Sequence, residues 1–184
     1  MPRLRSAILL LAACGKNPSV SPIDRAGRTT FALGKPCCDR GVYEIPVLPS
    51  TTDPDVLALV AGGAEMWKSR AALEVELCGV RTRSDVFSTV FHGELAQVLF
   101  SWCSGEKCHA ACDTLIAACK AELGEPATHI KGTDTNGVNS EHVRYKTAAT
   151  YIRMSSIGNL CTIGIQDAQV IGMLEAAIPA GSGE

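Results

Sequence analysis

Nine cysteines constrain this chain more than any other feature, because every disulfide that forms restricts the conformations open to the polypeptide. Three of them, Cys108, Cys112 and Cys119, recur at the spacing of one face of an α-helix. Whether cysteines serve as structural bridges, metal ligands or reactive thiols depends on the redox compartment in which the protein folds. The N-terminal residues of the chain predict that compartment.

The first fourteen residues have the layout of an export signal. Arg3 and Arg5 precede an apolar run, residues 7–13, which ends in two small residues directly before Cys14. The last four of these residues, Leu11-Ala12-Ala13-Cys14, resemble the lipobox of bacterial lipoproteins. In that family the signal is cut before the cysteine, which is acylated and becomes the first residue of the mature chain.

This resemblance implies a signal peptide over residues 1–13 and lipidation, including palmitate, at Cys14. The chain has no run of about 18 apolar residues, the length that a membrane-spanning helix needs, so the lipid is expected to be its membrane anchor. Gly15 follows the cysteine, where an aspartate would resemble an inner-membrane retention signal. If the source is Gram-negative, we therefore expect an outer-membrane protein facing the periplasm.

Assigning Cys14 to the lipid leaves an even number of cysteines in an oxidising compartment. We therefore expect four disulfides, although eight cysteines allow about a hundred pairings. The candidates are Cys37, Cys38, Cys78, Cys103, Cys108, Cys112, Cys119 and Cys161.

Helix geometry suggests a pairing. Cys108 and Cys112 lie one turn apart, so we expect them to bridge to the adjacent Cys37 and Cys38 and to clamp that segment across the helix. Cys119 lies about 10 Å further along the helix axis and needs another partner. Cys161 and Cys78 are its candidates, and Cys103 takes whichever remains.

The charge balance argues against nucleic acid as a partner. Without Arg3 and Arg5, the 17 Lys and Arg residues fall to 15 against 19 acidic residues, a net charge near −4. The chain contains no basic run or stripe, so nothing in the sequence predicts affinity for nucleic acid or for anionic lipid surfaces.

The order of sequence patterns predicts a single α+β domain over residues 31–184, preceded by a lipidated, flexible tether over residues 14–30. We expect an antiparallel sheet of about five to six strands with one long helix and two short helices packed on it. Strand patterns include residues 73–77, 86–91 with 95–102 as a hairpin, 150–154 and 160–165. Helical patterns cover residues 104–123, the long helix, and the short segments 53–61 and 167–178. Residues 131–141 read as a polar loop.

Three alternative uses of the cysteines remain open at this stage. Cys103 and Cys108 followed by His109 resemble the wide-spaced haem attachment motif of multihaem cytochromes c, although the usual spacing is two residues. Cys103, Cys108 and Cys112 could instead form a reactive thiol or metal site, because helix N-termini and histidine lower the pKa of a thiol. Cys37 and Cys38 could bind a soft metal together with Met66 or Met154.

No other pattern identifies a catalytic site. The histidines lack metal-binding spacing, and no Gly-x-Ser-x-Gly elbow or catalytic triad order is present. We therefore expect a lipid-anchored cell-envelope protein that binds or scaffolds an envelope protein or ligand, without catalysis, metal or cofactor. The rival hypothesis is an envelope thiol-disulfide oxidoreductase that uses Cys103, Cys108 or Cys112.

Overall fold

Antiparallel β-sheet dominates the structure, a computed structural model that describes residues 20–27, 31–44, 54–133, 135 and 137–177. The helices in this part of the chain are α1 (Pro22–Arg25), α2 (Pro54–Ala61), α3 (Cys108–Leu123) and α4 (Ala168–Ala177). The strands are β1 (Tyr43–Glu44), β2 (Glu65–Ser69), β3 (Leu73–Leu77), β4 (Val80–Ser84), β5 (Val86–Phe91), β6 (Glu94–Ser104), β7 (Thr128–Thr133), β8 (Asn139–Lys146), β9 (Thr150–Ile157) and β10 (Leu160–Asp167). Eight strands form one sheet in the order β1-β2-β5-β6-β10-β9-β8-β7, and β3 pairs with β4 in a separate ribbon.

The predicted fold class, an α+β domain with five to six strands and three helices, is wrong. The structure is mostly antiparallel sheet, with eight strands in one sheet and two in another, and its four helices are short. The strands that were not predicted lack a clean apolar alternation. β7 exposes all six of its residues, and β4 carries Arg81 and Arg83 at alternate positions. The segment predicted as a polar loop, residues 131–141, contributes the end of β7 and the start of β8.

The main core lies between the large sheet and α3. Along β8, β9 and β10 alternate side chains are buried on this face, among them Val143, Ile152 and Ile163. α3 packs against β6, β9 and β10. Its long apolar stripe was predicted, and its fully buried residues are Cys112, Leu115 and Cys119. The cysteine stripe of this helix therefore faces the sheet.

Two hairpins have two-residue turns in which both residues take the left-handed conformation. Cys78 and Gly79 join β3 to β4 with φ of 53° and 70°, and His92 and Gly93 join β5 to β6 with φ of 52° and 81°. Such turns match the right-handed twist of the strands that they connect. The first turn places Cys78 at the tip of the ribbon.

Part of the segment predicted as a tether is packed against the domain. Ser21 caps α1 by accepting a hydrogen bond from the Asp24 backbone at 3.0 Å. Ile23 and Ala26 pack against the main core, and the Thr147 hydroxyl donates to the Asp24 carboxylate. Residues 20–27 therefore belong to the folded domain. The predicted signal peptide and Cys14 lie outside the described residues.

Candidate functional site

All eight candidate cysteines lie at disulfide distance from another cysteine, in four pairs. The pairs are Cys37–Cys38, Cys78–Cys119, Cys103–Cys108 and Cys112–Cys161. For the three pairs that are not adjacent in sequence, the Cα atoms are 5.0, 5.3 and 6.0 Å apart, within the ordinary range for a disulfide.

The predicted clamp from Cys37 and Cys38 to the helix is wrong. The Cys37 amide donates to the Gly93 carbonyl at 3.0 Å, which holds this segment at the turn between β5 and β6. Cys112 instead faces β10 and pairs with Cys161, and Cys119 pairs with Cys78, one of its two predicted partners. α3 is thus linked to the large sheet at one turn and to the tip of the β3–β4 ribbon at another.

The pair Cys103–Cys108 links the end of β6 to the first residue of α3. Cys108 is 2% exposed, whereas Cys103 is only partly buried. Because these two cysteines are bonded to each other, neither thiol is left for a thioether, so the arrangement does not fit haem attachment. Of the three cysteines in the reactive-thiol hypothesis, Cys112 is fully buried and bonded to Cys161. Only the pair Cys103–Cys108 therefore remains a candidate for a reactive thiol site.

The metal hypothesis for Cys37 and Cys38 does not fit the geometry either. The two cysteines pair with each other, and Met154, one of the proposed co-ligands, is fully buried in the main core. Within the part of the chain that the structure describes, no group of three or more His, Cys, Asp or Glu residues is arranged to hold a metal ion.

A cavity of about 460 Å³ adjoins Cys37 and Cys38, beneath the β3–β4 ribbon. Backbone hydrogen bonds tie the segment before these cysteines to β6: Gly34 N donates to Leu95 O at 2.9 Å, and Leu95 N donates to Lys35 O at 2.8 Å. The buried apolar residues in its wall are Phe31, Val75, Val86, Leu95 and Val98. The segment before the cysteines and the strands β3, β5 and β6 therefore converge on one apolar space.

The charged residues at this cavity lie on its more exposed side. Glu74 and Glu76 belong to β3, and both form ion pairs with Arg81 across the ribbon, at 3.5 and 2.5 Å. The third carboxylate, Asp39, accepts a hydrogen bond from the Gly41 amide at 2.7 Å. These acidic groups are already engaged by the protein, so the distinctive chemistry that the cavity offers is apolar.

No protein-family model matches the chain, and neither a curated protein nor a solved structure matches it significantly. Among the described helices, none has the length and apolar character needed to cross a membrane. A cluster of titratable side chains lies on the β7–β8 edge of the sheet.

Glu141 on β8 is the centre of this cluster. It is 4% exposed, and its Oε1 atom accepts from His129 Nε2 at 2.5 Å and from Lys131 Nζ at 2.9 Å. Burial alone would raise the pKa of Glu141, but the hydrogen bonds and charges of Lys131 and His129 outweigh burial and hold that pKa below its ordinary value. The hydrogen bond and charge of Glu141 in turn raise the pKa of Lys131.

A cavity of about 370 Å³ lies beside Glu141, and His109 from α3 also lines it. His109 Nδ1 is 3.4 Å from the Ser156 hydroxyl, and its Nε2 is 3.8 Å from Asp113. Ser156 is 2% exposed, so its hydroxyl is not presented to a substrate. We interpret this cluster as an ion-paired attachment of the β7 edge strand, because a buried carboxylate needs charged partners.

Sequence reasoning missed both the cavity and the Glu141 cluster. Residues 131–141 have the composition of a polar loop, and β7 buries none of its residues, so no apolar alternation indicates that His129 and Lys131 share one face of a strand. Lys131 lies directly opposite Glu141 in the strand pairing, and this register depends on the fold. The apolar cavity depends on Phe31 and Leu95, which are far apart in sequence and carry no motif.

Proposed function

We propose that this protein is a lipid-anchored component of the bacterial cell envelope that binds a small apolar ligand in the cavity beneath the β3–β4 ribbon. The observation that carries the proposal is the pairing of all eight described cysteines. Such a set is typical of an oxidising compartment. It agrees with export directed by the sequence Leu11-Ala12-Ala13-Cys14.

The proposed location follows from the lipid. Acylation at Cys14 attaches the mature chain to a membrane, and in a Gram-negative cell Gly15 favours the outer membrane with the domain in the periplasm. Residues 14–21 then connect the lipid to α1, the first described helix. The partners of the protein are the membrane, through this lipid, and an envelope ligand or protein.

The proposed ligand follows from the cavity. Its volume of about 460 Å³ lies within the range of small-molecule sites, and its buried wall is apolar. The neighbouring Glu74 and Glu76 share one cation, Arg81, so a net negative charge remains at the exposed side of the cavity and disfavours an anionic ligand. We therefore favour binding over catalysis at this site.

Anchoring is tested by identifying the mature N-terminus. Mass spectrometry of protein extracted from membranes should show an acylated N-terminal Cys14, and Cys14→Ser should release the protein from the membrane fraction. A mature N-terminus at any other residue contradicts the proposed anchor, whatever the cavity binds.

Ligand binding is tested with the neutral fluorescent probe N-phenyl-naphthylamine, which brightens in apolar sites. Leu73 lies at the cavity and is partly buried, so Leu73→Trp should narrow the cavity and weaken probe binding severalfold. Leu160 is 43% exposed and lies outside the cavity lining, so Leu160→Trp is the matched control and should bind like the wild type. Equal loss in both variants, or no saturable binding by the wild type, contradicts the proposal.

A second candidate function, thiol-disulfide exchange, is favoured by one observation. Cys108 is the first residue of α3 and Cys103 is partly exposed, so this pair lies where a helix N-terminus stabilises a thiolate. A catalytic pair would be reduced by mild dithiothreitol while the fold stayed intact, and Cys103→Ala/Cys108→Ala would abolish reduction of a disulfide substrate such as insulin. A structural pair would resist mild reduction.

A further inference from the structure

Strand pairing brings two arginines together on the face of the sheet that α3 does not cover. Arg144 of β8 lies directly opposite Arg153 of β9. Their sequence neighbours Val143 and Ile152 are fully buried in the main core, under α3. Because side chains alternate along a strand, both arginines point to the opposite face, where both are exposed.

The positive charge of this arginine pair is not balanced by a described acidic side chain. Neither guanidinium forms an ion pair or a hydrogen bond with any residue that the structure describes, whereas Arg81 and Arg70 each bind a carboxylate. The other residues of β8 and β9 on this face include no acid: they are Ser140, His142, Lys146, Tyr151, Ser155 and Ile157. Like charges directly opposite each other destabilise an antiparallel strand pair. No described side chain offsets the repulsion between Arg144 and Arg153, whereas an anion bound between them would.

The two arginines line a cleft of about 300 Å³ with polar groups suited to an oxyanion. His142 and Ser155 lie in the same cleft, with His142 Nδ1 3.1 Å from the Ser155 hydroxyl, and Thr162 contributes another hydroxyl. Ile130 and Ile157, at 55% and 50% exposed, form its apolar sides. Guanidinium groups bind phosphate through paired hydrogen bonds, and hydroxyls can donate additional ones.

We propose that this cleft binds the phosphate group of a phosphate-bearing ligand, with Arg144 and Arg153 as its principal ligands. The proposal is independent of the lipid anchor and of the apolar cavity, which the opposite face of the sheet lines through Val86 and Val98. The basic pair was not visible in the sequence because eight residues lie between Arg144 and Arg153, and only the β8–β9 register brings them together.

Binding is measured on the full chain by calorimetric titration with inorganic phosphate and with glycerol phosphate, at constant ionic strength maintained with chloride. Arg144→Gln and Arg153→Gln should each weaken binding by about ten- to a hundredfold, the loss expected for a hydrogen bond to a charged group. Arg83→Gln is the matched control, because Arg83 is also an exposed strand arginine but lies on the ribbon.

The unliganded variants provide a second readout. Without phosphate at low salt, Arg153→Gln should melt about 1 to 3 °C above the wild type because the like-charge pair is gone. Saturating phosphate should reverse that order, since only the wild type gains stability from the ligand. A merely solvated arginine pair gives no such reversal, and no reversal together with no arginine-dependent binding to vesicles would overturn the proposal.

A final arm distinguishes a free phosphate compound from a lipid headgroup. Vesicles of phosphatidylcholine with and without phosphatidylglycerol are mixed with the wild type and with Arg144→Gln/Arg153→Gln. Loss of phosphatidylglycerol-dependent binding in the variant, without binding of soluble phosphates, identifies the headgroup as the source. Binding of soluble phosphates that depends on the arginines identifies a free compound. If binding is absent in every arm, or equal in the wild type and the variant, the site does not exist.

Discussion

At the scale of single residues, Glu141 is the most informative side chain in the protein. It is buried, and hydrogen bonds from His129 and Lys131 keep it ionised. We expect Glu141→Gln to lower the free energy of unfolding at pH 7 by about 1 to 3 kcal/mol. The neutral amide cannot balance the charge of Lys131, and it offers one acceptor oxygen where the carboxylate has two. Urea unfolding of the two proteins measures this difference.

The same difference should depend on pH. Because the folded-state pKa of Glu141 lies below 4.5, its ordinary value, the ionised carboxylate contributes stability that is complete above that value and is lost as the pH falls through the folded-state pKa. The wild type and Glu141→Gln should therefore converge in acid. Glu122→Gln, at an exposed position of α3, is the control and should differ little from the wild type at any pH. A gap that stays constant down to pH 2 would argue against the proposed ion cluster.

Sequence reasoning fails for residues whose role depends on register. His129, Lys131 and Glu141 occupy a segment without apolar alternation, so neither β7 nor the ion cluster could be predicted from it. The hairpin predicted from residues 86–91 and 95–102 requires a tight turn between the two strands, and the structure has that turn at His92 and Gly93. A turn formed by adjacent residues can be predicted from the sequence, whereas a contact between two strands can be predicted only when their register is known.

At the scale of elements, α3 shows what helix periodicity can and cannot predict. The stripe of Cys108, Cys112 and Cys119 correctly predicted a helix with a buried face, because that periodicity is local. The partners of these cysteines were wrongly predicted in part, because they depend on which strand lies under each turn of α3. Cys112 meets Cys161 on β10, and Cys119 meets Cys78 at the tip of the ribbon.

The separations of these pairs predict how much each disulfide stabilises the fold. Cys78 and Cys119 are 41 residues apart, whereas Cys103 and Cys108 are 5 apart. On the chain-entropy estimate the long loop contributes about 4 kcal/mol and the short one about 2 kcal/mol. Chemical unfolding of Cys78→Ala/Cys119→Ala and of Cys103→Ala/Cys108→Ala should therefore show the larger loss in the first variant. The opposite ranking would mean that packing or strain, rather than loop closure, sets the contribution of these bridges.

At the scale of the whole molecule, the large sheet separates two surfaces of different chemistry. One face carries the main core, α3 and the apolar cavity, while the other carries Arg144 and Arg153. The net charge near −4 expected for the mature chain does not reveal the basic cleft, because the acidic residues lie outside it, on β3 and α3 among other elements. Composition therefore predicted the overall charge of the protein but not the local basic cleft, which strand pairing creates.

The four cysteine pairs make a final prediction about the intact protein. Alkylation of the denatured, unreduced protein should label none of the eight described cysteines, and labelling after reduction should reach all eight. The three bridges between cysteines that are not adjacent in sequence together contribute about 10 kcal/mol on the chain-entropy estimate. This sum is comparable to the whole stability of a typical domain. Reduction should therefore unfold the protein at room temperature, with loss of near-ultraviolet circular dichroism. Two or more cysteines labelled before reduction, or a reduced protein that still unfolds cooperatively near the original melting temperature, would show that the bridges do not hold the fold together.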